Sequence, residues 1–406
     1  MFPHILVVTS AYPTTPDGNH ATFLRETILR LQARGMNFTV FAPAYEGQPS
    51  HWLDGVRVHR FRYCLKPWEN LARDGAPTKL QRQPWYKAIA ALYILLGSAQ
   101  LTWVCWRDRP DALHIHWPFP HALMAWPAHK LFSIPMVLSC HGAELLLSRK
   151  FGFVAPLLRW LLPQANGVTV NSSFTQGLLR TISAVPATTI PYGLTIEPKP
   201  VPGRSPTQPP QVLFVGRLDE RKGLVYLLRA MVQVLEKFPT ARLRVVGRGH
   251  LEADLHAQCA ELGLVSQVDF LGFVSKDELA QEYATCDVFV LPAIVDSKGD
   301  TEGLGIVMIE ALAHGKPVVA SDVGGISDVI RASQTGLLVP EKDPPALAQA
   351  IVRLLNDSDL GHALGQAGLR DIQARFGWEQ IAPQWEQVLA NALADSTSAP
   401  QPLEVA

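Results

Sequence analysis

Short apolar runs alternate with helical patterns along the first half of the chain. Five runs rich in β-branched residues are typical of buried strands, at 4–10, 38–44, 112–117, 136–142 and 167–173. Helical segments separate several of them, for example residues 22–35, which end at Gly35 as a helix commonly does. Continuous apolar strands separated by helices predict a parallel sheet covered by helices on both faces.

A second series of the same kind begins after a proline-rich segment. Residues 198–210 contain six prolines and no hydrophobic periodicity, a composition typical of a linker. Five further strand-like runs then alternate with helices, at 211–216, 242–247, 268–273, 288–293 and 316–321. The pattern predicts an α/β protein with two doubly wound domains facing each other across a cleft, where ligands bind outside the carboxyl ends of the strands.

The predicted organisation has five parts along the chain. Residues 1–195 form a first domain, residues 196–210 a linker and residues 211–378 a second domain. The sequence predicts that residues 379–394 form a helix that returns to the first domain. The tail, 395–406, is small, polar and proline-containing, which is typical of a disordered segment.

Composition is that of a globular protein in a reducing compartment. The chain has 406 residues, of which 48% are hydrophobic, and is longer than a domain with a single hydrophobic core usually is. The five cysteines are scattered and form no Cys-x-x-Cys pair, which argues against a disulfide framework and against a zinc site. The first apolar run lacks the basic region of a signal sequence, so we expect a cytoplasmic protein.

Charge is divided unequally between the two halves. Residues 1–195 contain 18 Lys and Arg against 9 Asp and Glu, a formal charge of +9, whereas residues 196–406 contain 18 against 27. A basic first domain is suited to an anionic partner such as a membrane surface, a phosphorylated lipid or a nucleic acid. The alternative is chance combined with mutual attraction of the two domains.

The uncharged stretch 88–106 reaches the length of a membrane-spanning helix. Polar residues dilute it, however, and basic residues flank both ends. We expect a buried helix, or one whose outer face lies on a bilayer with aromatic side chains near the interface, namely Trp85, Tyr86, Trp103 and Trp106.

Two carboxylates eight positions apart, Glu302 and Glu310, flank a Gly-Leu-Gly turn and an apolar run. Gly303 and Gly305 allow a tight turn with unobstructed amides. A helix that begins there attracts phosphate through its free N–H groups and its dipole. Carboxylates beside such a site are suited to accept hydrogen bonds from ribose and hexose hydroxyls, which suggests a sugar nucleotide. The alternative is a solvated helix face.

The segment GRLDERKG follows the first predicted strand of the second domain. Gly216 permits a close backbone approach, and Arg217 and Lys222 place two cations at the carboxyl end of the strand. A leaving diphosphate gains charge as its bond to the sugar breaks, so it needs such cations. The alternative is an ordinary basic surface loop.

Three histidines of the first domain are candidates for chemistry. His141 ends a strand beside glycine, where it could donate a hydrogen bond to a sugar hydroxyl; the alternative is a capping or core histidine. His114 and His116 lie on one face of another strand. Metal ligation by this pair has no third ligand at a suitable spacing, which favours a structural role.

Motifs of one family occur in order along the chain. They are VGRLDERKG, LRVVGRG, VDFLGFV, CDVFVLPA, GDTEGLGIVMIEALAHGKPVVASDVGG and TGLLVP in the second half, with HIHWPFP, HGAE, VNSS and IPYGL before them. With these motifs in this order and spacing, the chain resembles the retaining glycosyltransferases of family 4, also called glycosyl transferases group 1. The resemblance extends over almost the whole length of the chain. The resemblance implies the GT-B fold.

The resemblance also implies roles for matching residues. The donor diphosphate would be held by Arg217, Lys222 and the amides of Gly303, Leu304 and Gly305. Glu310 would bind the ribose, Glu302 the donor hexose and phosphate, and His141 would lie near the transferred sugar. Base recognition would rest on backbone contacts around Gly272, Phe273 and Val274.

Two departures from the family pattern lie in the first domain. The loop before the first helix has Gly18 and Asn19, with Ala21 near the place where a second glycine is expected. The chain therefore departs from the family at the loop that makes the acceptor or phosphate contact. Glu144 stands in HGAE where aspartate is commoner.

These observations lead us to expect a transferase that moves a hexose from a nucleotide sugar to a cell-envelope glycan or its lipid-linked precursor. We expect no metal and no cofactor beyond this co-substrate. An anionic membrane surface is a further expected partner, and nucleic acid is not. The alternatives are a sugar-nucleotide epimerase of the same fold and an inactive subunit that binds nucleotide sugar.

Overall fold

A computed structural model describes residues 2–16, 18, 21–71, 79–80, 83–195 and 208–397. The chain divides into two compact units, Met1–Pro191 with Ile381–Ala406, and Tyr192–Gln380. Most of the predicted linker, 196–207, and the end of the predicted tail, 398–406, lie outside the described residues.

The first unit contains an eight-stranded sheet of order β3-β4-β2-β1-β5-β6-β7-β8. Its strands pair in parallel except for β3, which is antiparallel to β4. The strands are β1 (His4–Val8), β2 (Asn37–Pro43), β3 (His51–Leu53), β4 (Val56–Phe61), β5 (Ala112–His116), β6 (Met136–Cys140), β7 (Gly167–Val170) and β8 (Thr188–Thr189).

Seven α-helices with described bounds belong to this unit. They are α1 (Thr22–Gln32), α2 (Tyr86–Asp108), α3 (Pro118–Phe132), α4 (Ala143–Lys150), α5 (Val154–Leu161), α6 (Ser173–Arg180) and, from the far end of the chain, α14 (Trp378–Thr397), most of which lies in the first unit. In α14, Leu389 is fully buried, and the ring of Trp385 lies 4.9 Å from that of His114 in β5.

The second unit contains a six-stranded parallel sheet of order β11-β10-β9-β12-β13-β14. Its strands are β9 (Gln211–Val215), β10 (Arg242–Val246), β11 (Val268–Gly272), β12 (Val288–Leu291), β13 (Val318–Ser321) and β14 (Leu337–Val339). Its helices are α7 (Leu224–Lys237), α8 (Glu252–Glu261), α9 (Lys276–Thr285), α10 (Ile306–Ala313), α11 (Ile326–Val329), α12 (Pro344–Asn356) and α13 (Ser358–Phe376).

Both faces of the second sheet are covered, as its continuous apolar strands predict. In β9, Val212 and Phe214 join one buried cluster, whereas Leu213 and Val215 join another on the opposite face. The loops that follow the strands are therefore the part of the unit left for binding.

The helix α2 covers the uncharged stretch 88–106. It is the one helix in the described part of the chain that is long and apolar enough to cross a membrane, with a mean hydropathy of 1.7. Core helices of soluble proteins share this length and hydropathy. Trp85, Trp103 and Trp106 are exposed as expected. The expectation for Tyr86 is wrong, since it is buried and donates to Asn70 Oδ1 at 2.8 Å.

All five cysteines lie in the described residues and all are free. The absence of a disulfide framework that their spacing predicts is confirmed.

Candidate active site

The turn predicted at Gly303–Gly305 directly precedes α10, which begins at Ile306. Gly305 has a backbone φ of 88°, in the left-handed region that glycine enters without the clash of a Cβ atom. Glu302 therefore lies in the loop ahead of the helix, and Glu310 lies in its second turn. The helix start predicted from the spacing is confirmed.

Glu302 forms a buried ion pair with Lys222. Lys222 ends a short 3₁₀ turn after β9, and its Nζ donates to Glu302 Oε2. Glu302 is only 8% exposed, so the solvated-face alternative is wrong for it. Burial raises the pKa of this carboxyl, but the cations Lys222, Arg221 and Arg217 outweigh burial and lower the pKa to about 2. Glu302 is thus an anion at every physiological pH.

Arg221 is a third cation of this group that was not predicted. Its Nη1 donates to the carbonyl of Thr301 at 3.2 Å, beside Glu302. It stands in the same GRLDERKG segment as Arg217 and Lys222, so the signal was present in the sequence. Arg217, by contrast, has a side chain that is 71% exposed and pairs with Asp219 at 3.2 Å. The structure therefore joins Lys222 to Glu302 directly and leaves Arg217 extended toward solvent.

Three backbone amides lie directly before the first residue of α10 and are called the α10 amides below. Among the described residues, none accepts a hydrogen bond from the amides of Gly303, Leu304 or Gly305. Gly324 and Gly325 contact the residue that precedes this turn, since Gly325 N–H donates to Glu302 O at 2.9 Å. A Cβ on Gly324 would lie 2.1 Å from that same oxygen. Gly324–Gly325 is thus a close-approach turn that presents the amides beside the Lys222 ammonium.

Glu310 is occupied by protein partners. Thr195 Oγ1 and Tyr283 Oη donate to its two carboxylate oxygens, the latter at 2.8 Å. Glu310 is 6% exposed, and burial raises its pKa against the opposing effect of these two donors. The solvated-face alternative is wrong here too. A ribose hydroxyl at Glu310 would have to share an oxygen with Thr195 or Tyr283, neither of which was predicted.

The predicted base region lies at the end of β11. Gly272 has a positive φ of 67°, and its carbonyl accepts from Gly247 N–H at 2.8 Å. Phe273 is exposed, and the guanidinium of Arg248 lies 5.8 Å from its ring centroid. Val274 packs against the buried cluster behind it. The segment thus presents an aromatic ring and backbone groups at the carboxyl edge of the second sheet.

His141 lies in the first unit at the end of β6. Its ring Nε2 is 2.9 Å from Nδ1 of His116, and its backbone N–H donates to Glu144 Oε1 at 2.7 Å. Burial, followed by the effect of His114, lowers the pKa of His141 to about 3. The imidazole is therefore neutral at pH 7 and has one N–H to donate.

His114 and His116 share one face of β5, as their spacing predicts, with ring centroids 4.2 Å apart. Their partners differ, since His114 Nε2 lies 2.8 Å from Ser139 Oγ whereas His116 bonds His141. Within the described ranges no group of three or more His, Cys, Asp or Glu side chains is placed to hold a metal ion. The pair belongs to a buried hydrogen-bond network.

The predicted N-terminal loop is described only in part. Gly18 lines a cavity of the first unit, and its N–H donates to Thr15 O at 3.0 Å. Asn19 lies outside the described residues.

Glu144 gives a pH-dependent prediction. Burial raises its pKa from 4.5 to about 7. The folded protein therefore binds this proton more tightly than the unfolded chain does. The resulting stabilisation is complete below pH 4.5 and is lost as the pH rises through 7. Glu144→Gln, which mimics the protonated acid, should be more stable than the wild type above pH 7 by up to about 3 kcal/mol.

The measurement is the melting temperature of both proteins across this pH range. The buried histidines also titrate, but they are common to both proteins and cancel in the difference. Glu236→Gln, at an exposed position, is the matched control and should follow the wild type. Parallel curves for Glu144→Gln and the wild type would show that this carboxyl does not carry the proton.

Comparison with known proteins defines the class. A family model described as "Glycosyl transferase 4-like domain" matches residues 18–193, and one described as "Glycosyl transferases group 1" matches residues 196–371. The structure is similar to sucrose-phosphate synthase from Thermosynechococcus elongatus, with a TM-score of 0.77 at 24% identity over 97% of this chain and 100% of that one. It is also similar to HepE from Anabaena in complex with UDP and glucose, with a TM-score of 0.71 at 18% identity over 96% and 99%.

Curated relatives match over most of the chain. A phosphatidyl-myo-inositol mannosyltransferase of Mycobacterium leprae is 31% identical over 361 residues, covering 87% of this chain and 88% of that protein. A GDP-mannose-dependent alpha-(1-6)-phosphatidylinositol monomannoside mannosyltransferase of Mycobacterium tuberculosis is 28% identical over 393 residues, covering 93% and 96%.

The protein is thus a glycosyltransferase of the GT-B fold, built from two Rossmann-like domains. The chain belongs to glycosyltransferase family 4, the group 1 glycosyl transferases.

Proposed function

We propose that the protein is a retaining hexosyltransferase that uses a nucleoside-diphosphate sugar and acts on a glycan or lipid-linked acceptor in cell-envelope polysaccharide synthesis. The observation that carries this proposal is the buried Lys222–Glu302 pair beside the α10 amides, which donate to no acceptor among the described residues. Support comes from relatives whose names specify GDP-mannose and phosphatidylinositol mannosides, and from the similar HepE structures, which hold UDP and UDP-glucose.

The donor diphosphate would bind where cations and amides meet. The α10 amides and the Lys222 ammonium can hold one phosphate, and the exposed Arg217 can reach the other by exchanging Asp219 for it. The Lys222 ammonium is fixed before the reaction starts, because it is buried and paired with Glu302. A cation held in this way stabilises the negative charge that grows on the leaving diphosphate without a reorganisation of solvent.

Glu302 would orient the transferred sugar. Its Oε2 is held by Lys222, and its low pKa keeps it an acceptor for hexose hydroxyls. Glu310 would accept from ribose hydroxyls alongside Tyr283. In a retaining transfer the acceptor oxygen bonds the anomeric carbon on the face that the diphosphate oxygen leaves. The acceptor proton passes to that leaving oxygen, so no carboxylate nucleophile is needed. Neutral His141 would donate to a sugar hydroxyl.

The test is release of nucleoside diphosphate from a panel of UDP-, GDP- and ADP-sugars with and without acceptor. Release that depends on acceptor, with the anomeric configuration kept in the product by NMR, supports the proposal. A new sugar nucleotide formed without acceptor would indicate the epimerase alternative. Nucleotide binding without any turnover would indicate an inactive subunit. We propose that no metal takes part, so activity should survive EDTA.

We further propose that the first unit lies on an anionic membrane. On α2 the exposed residue Lys87 is followed by exposed positions that are all apolar, namely 88, 91, 92, 95, 96, 99, 103 and 106. The opposite face is buried, including Tyr93, Leu101 and Val104. The side chain of Arg107 packs over Trp103, 4.4 Å from its ring. An apolar helix face with tryptophans and flanking basic residues is suited to the bilayer interface, and the +9 charge of residues 1–195 favours anionic lipid.

Leu95→Asp should weaken binding to liposomes that contain anionic lipid at low salt. Leu95 is 66% exposed, so the change removes apolar contact with lipid without opening a core. Loss of one leucine side chain that the lipid would bury weakens membrane binding roughly tenfold or more. Val265→Asp, at a 69% exposed position of the second unit, is the matched control. Wild-type protein that does not sediment with these liposomes would disprove the membrane proposal.

A further inference from the structure

A cavity of about 160 Å³ lies at the carboxyl edge of the first sheet. Residues 10–14, which follow β1, form one wall of the cavity. Pro43 of β2 and Arg60 of β4 form part of the remaining lining. These three strands run parallel, so their ends meet at one edge. One water needs about 10–15 Å³ of cavity, so there is room for a small polar group with its hydration.

Arg60 is a buried cation that lines this cavity. It is 8% exposed, and its guanidinium donates to the backbone carbonyls of Tyr12 at 2.6 Å, Pro13 at 3.3 Å and Pro43 at 3.4 Å. Its Nε–H has no partner, and no carboxylate among the described residues lies within ion-pair distance of it. Burial lowers the pKa of Arg60 to about 10, so it remains charged at neutral pH.

The other charged group of the wall does not neutralise Arg60. Glu69 is fully buried, but it accepts from Gly47 N–H at 2.8 Å and forms an ion pair with Arg62. Among the residues that the structure describes, nothing therefore compensates the charge of Arg60 in this cavity. A buried charge without a counter-ion is expensive, and an incoming anion would relieve it.

Tyr12 provides a second unsatisfied group in the same lining. Its hydroxyl is buried and has no hydrogen-bond partner in the described part of the chain. The nearby ion pair of Arg25 with Asp54, at 2.6 and 3.0 Å, is satisfied within itself. Burial raises the pKa of Tyr12, so the hydroxyl remains a donor. A buried donor without a partner costs about as much as a lost hydrogen bond, which a bound acceptor atom would recover.

We propose that this cavity binds an oxyanion of the acceptor substrate, a phosphate or a carboxylate, with Arg60 as its counter-cation and the Tyr12 hydroxyl as a hydrogen-bond donor. The assignment to the acceptor rests on the proposed function, because the cations of the donor diphosphate site lie in the other unit. It narrows the acceptor class to sugars or lipid headgroups that carry a negative charge.

The test follows the Arg60 Nε–H signal by NMR in the full chain, identified by its loss in Arg60→Lys. Inorganic phosphate and acetate are added separately at constant ionic strength. We expect one of the two anions to shift the signal in a saturable way. A shift with phosphate would indicate a phosphorylated acceptor, and a shift with acetate would indicate an acceptor that carries a carboxylate, such as a uronate. Tyr12→Phe should raise the apparent dissociation constant about tenfold while leaving the melting temperature unchanged or higher. Tyr226→Phe, in the second unit, should alter neither.

An Arg60 signal that neither anion moves, or that moves equally in wild type and Tyr12→Phe, would overturn the proposal. A melting temperature that falls in Tyr12→Phe with anion affinity unchanged would also overturn it, since the hydroxyl would then be structural. These readouts need no turnover. They are therefore distinct from failure of the proposed function, which would appear as absence of nucleoside diphosphate release.

Discussion

Replacing Glu302 with glutamine is expected to reduce sugar transfer by roughly 10²–10³-fold, the range seen when one fixed polar group of a catalytic site is removed. Glutamine keeps the shape of the side chain but removes the charge that holds the Lys222 ammonium. The ammonium then loses its fixed position beside the α10 amides, and the hexose loses its anionic acceptor. The measurement is the initial rate of acceptor-dependent nucleoside diphosphate release.

The matched control is Glu282→Gln, which breaks the ion pair with Arg244 in the same unit. That variant should transfer sugar at nearly the wild-type rate, although it also loses a charged pair. Nucleotide binding should persist in Glu302→Gln, because the α10 amides remain. Combining Glu302→Gln with Lys222→Met should lower the rate little beyond the more damaging single change, since the two residues act as a unit. Wild-type transfer by Glu302→Gln would contradict the proposed site.

Gly324→Ala is the second change with a large expected effect. The added Cβ would lie 2.1 Å from the carbonyl oxygen of Glu302, at a residue whose φ is 59°. The Glu302 loop must move, which should lower both the free energy of unfolding and the rate of transfer. Gly299→Ala separates the two causes, because Gly299 has a similar φ of 74° but open space around its Cβ position.

We expect Gly324→Ala to be about 1–3 kcal/mol less stable than Gly299→Ala, a typical penalty for overpacking. Urea unfolding measures this difference, and nucleoside diphosphate release measures activity in the same samples. Equal stability of the two variants, with full activity in both, would show that the Gly324 contact does not position the loop.

Local patterns in the sequence were sufficient for most strands and for the start of α10. The proximity of Lys222 and Glu302 follows from sheet order, because β9 and β12 are neighbouring parallel strands and their loops emerge together. The β3–β4 hairpin was not predicted, although Asp54-Gly55 between two apolar runs is a recognised hairpin signal. Both residues have the positive φ of such a turn, 52° and 75°.

The partners of Glu310 could not have been predicted in this way. Thr195 is 115 positions away and belongs to no described strand or helix. Tyr283 lies on α9, where its apolar neighbours mark it only as a core residue. Periodicity reports which residues are buried, but it does not report which hydroxyl meets which carboxylate. The cavity beside Arg60 depends on packing in three dimensions for the same reason.

The position of α14 has a consequence for synthesis of the protein. The first unit is completed by residues from 381 onward, where Glu386 accepts two hydrogen bonds from Arg34 at 2.8 and 2.7 Å. On the ribosome, the second unit is therefore synthesised before the α14 residues that complete the first unit, among them the fully buried Leu389. Nascent chains stalled before residue 381 should be the species that chaperones retain.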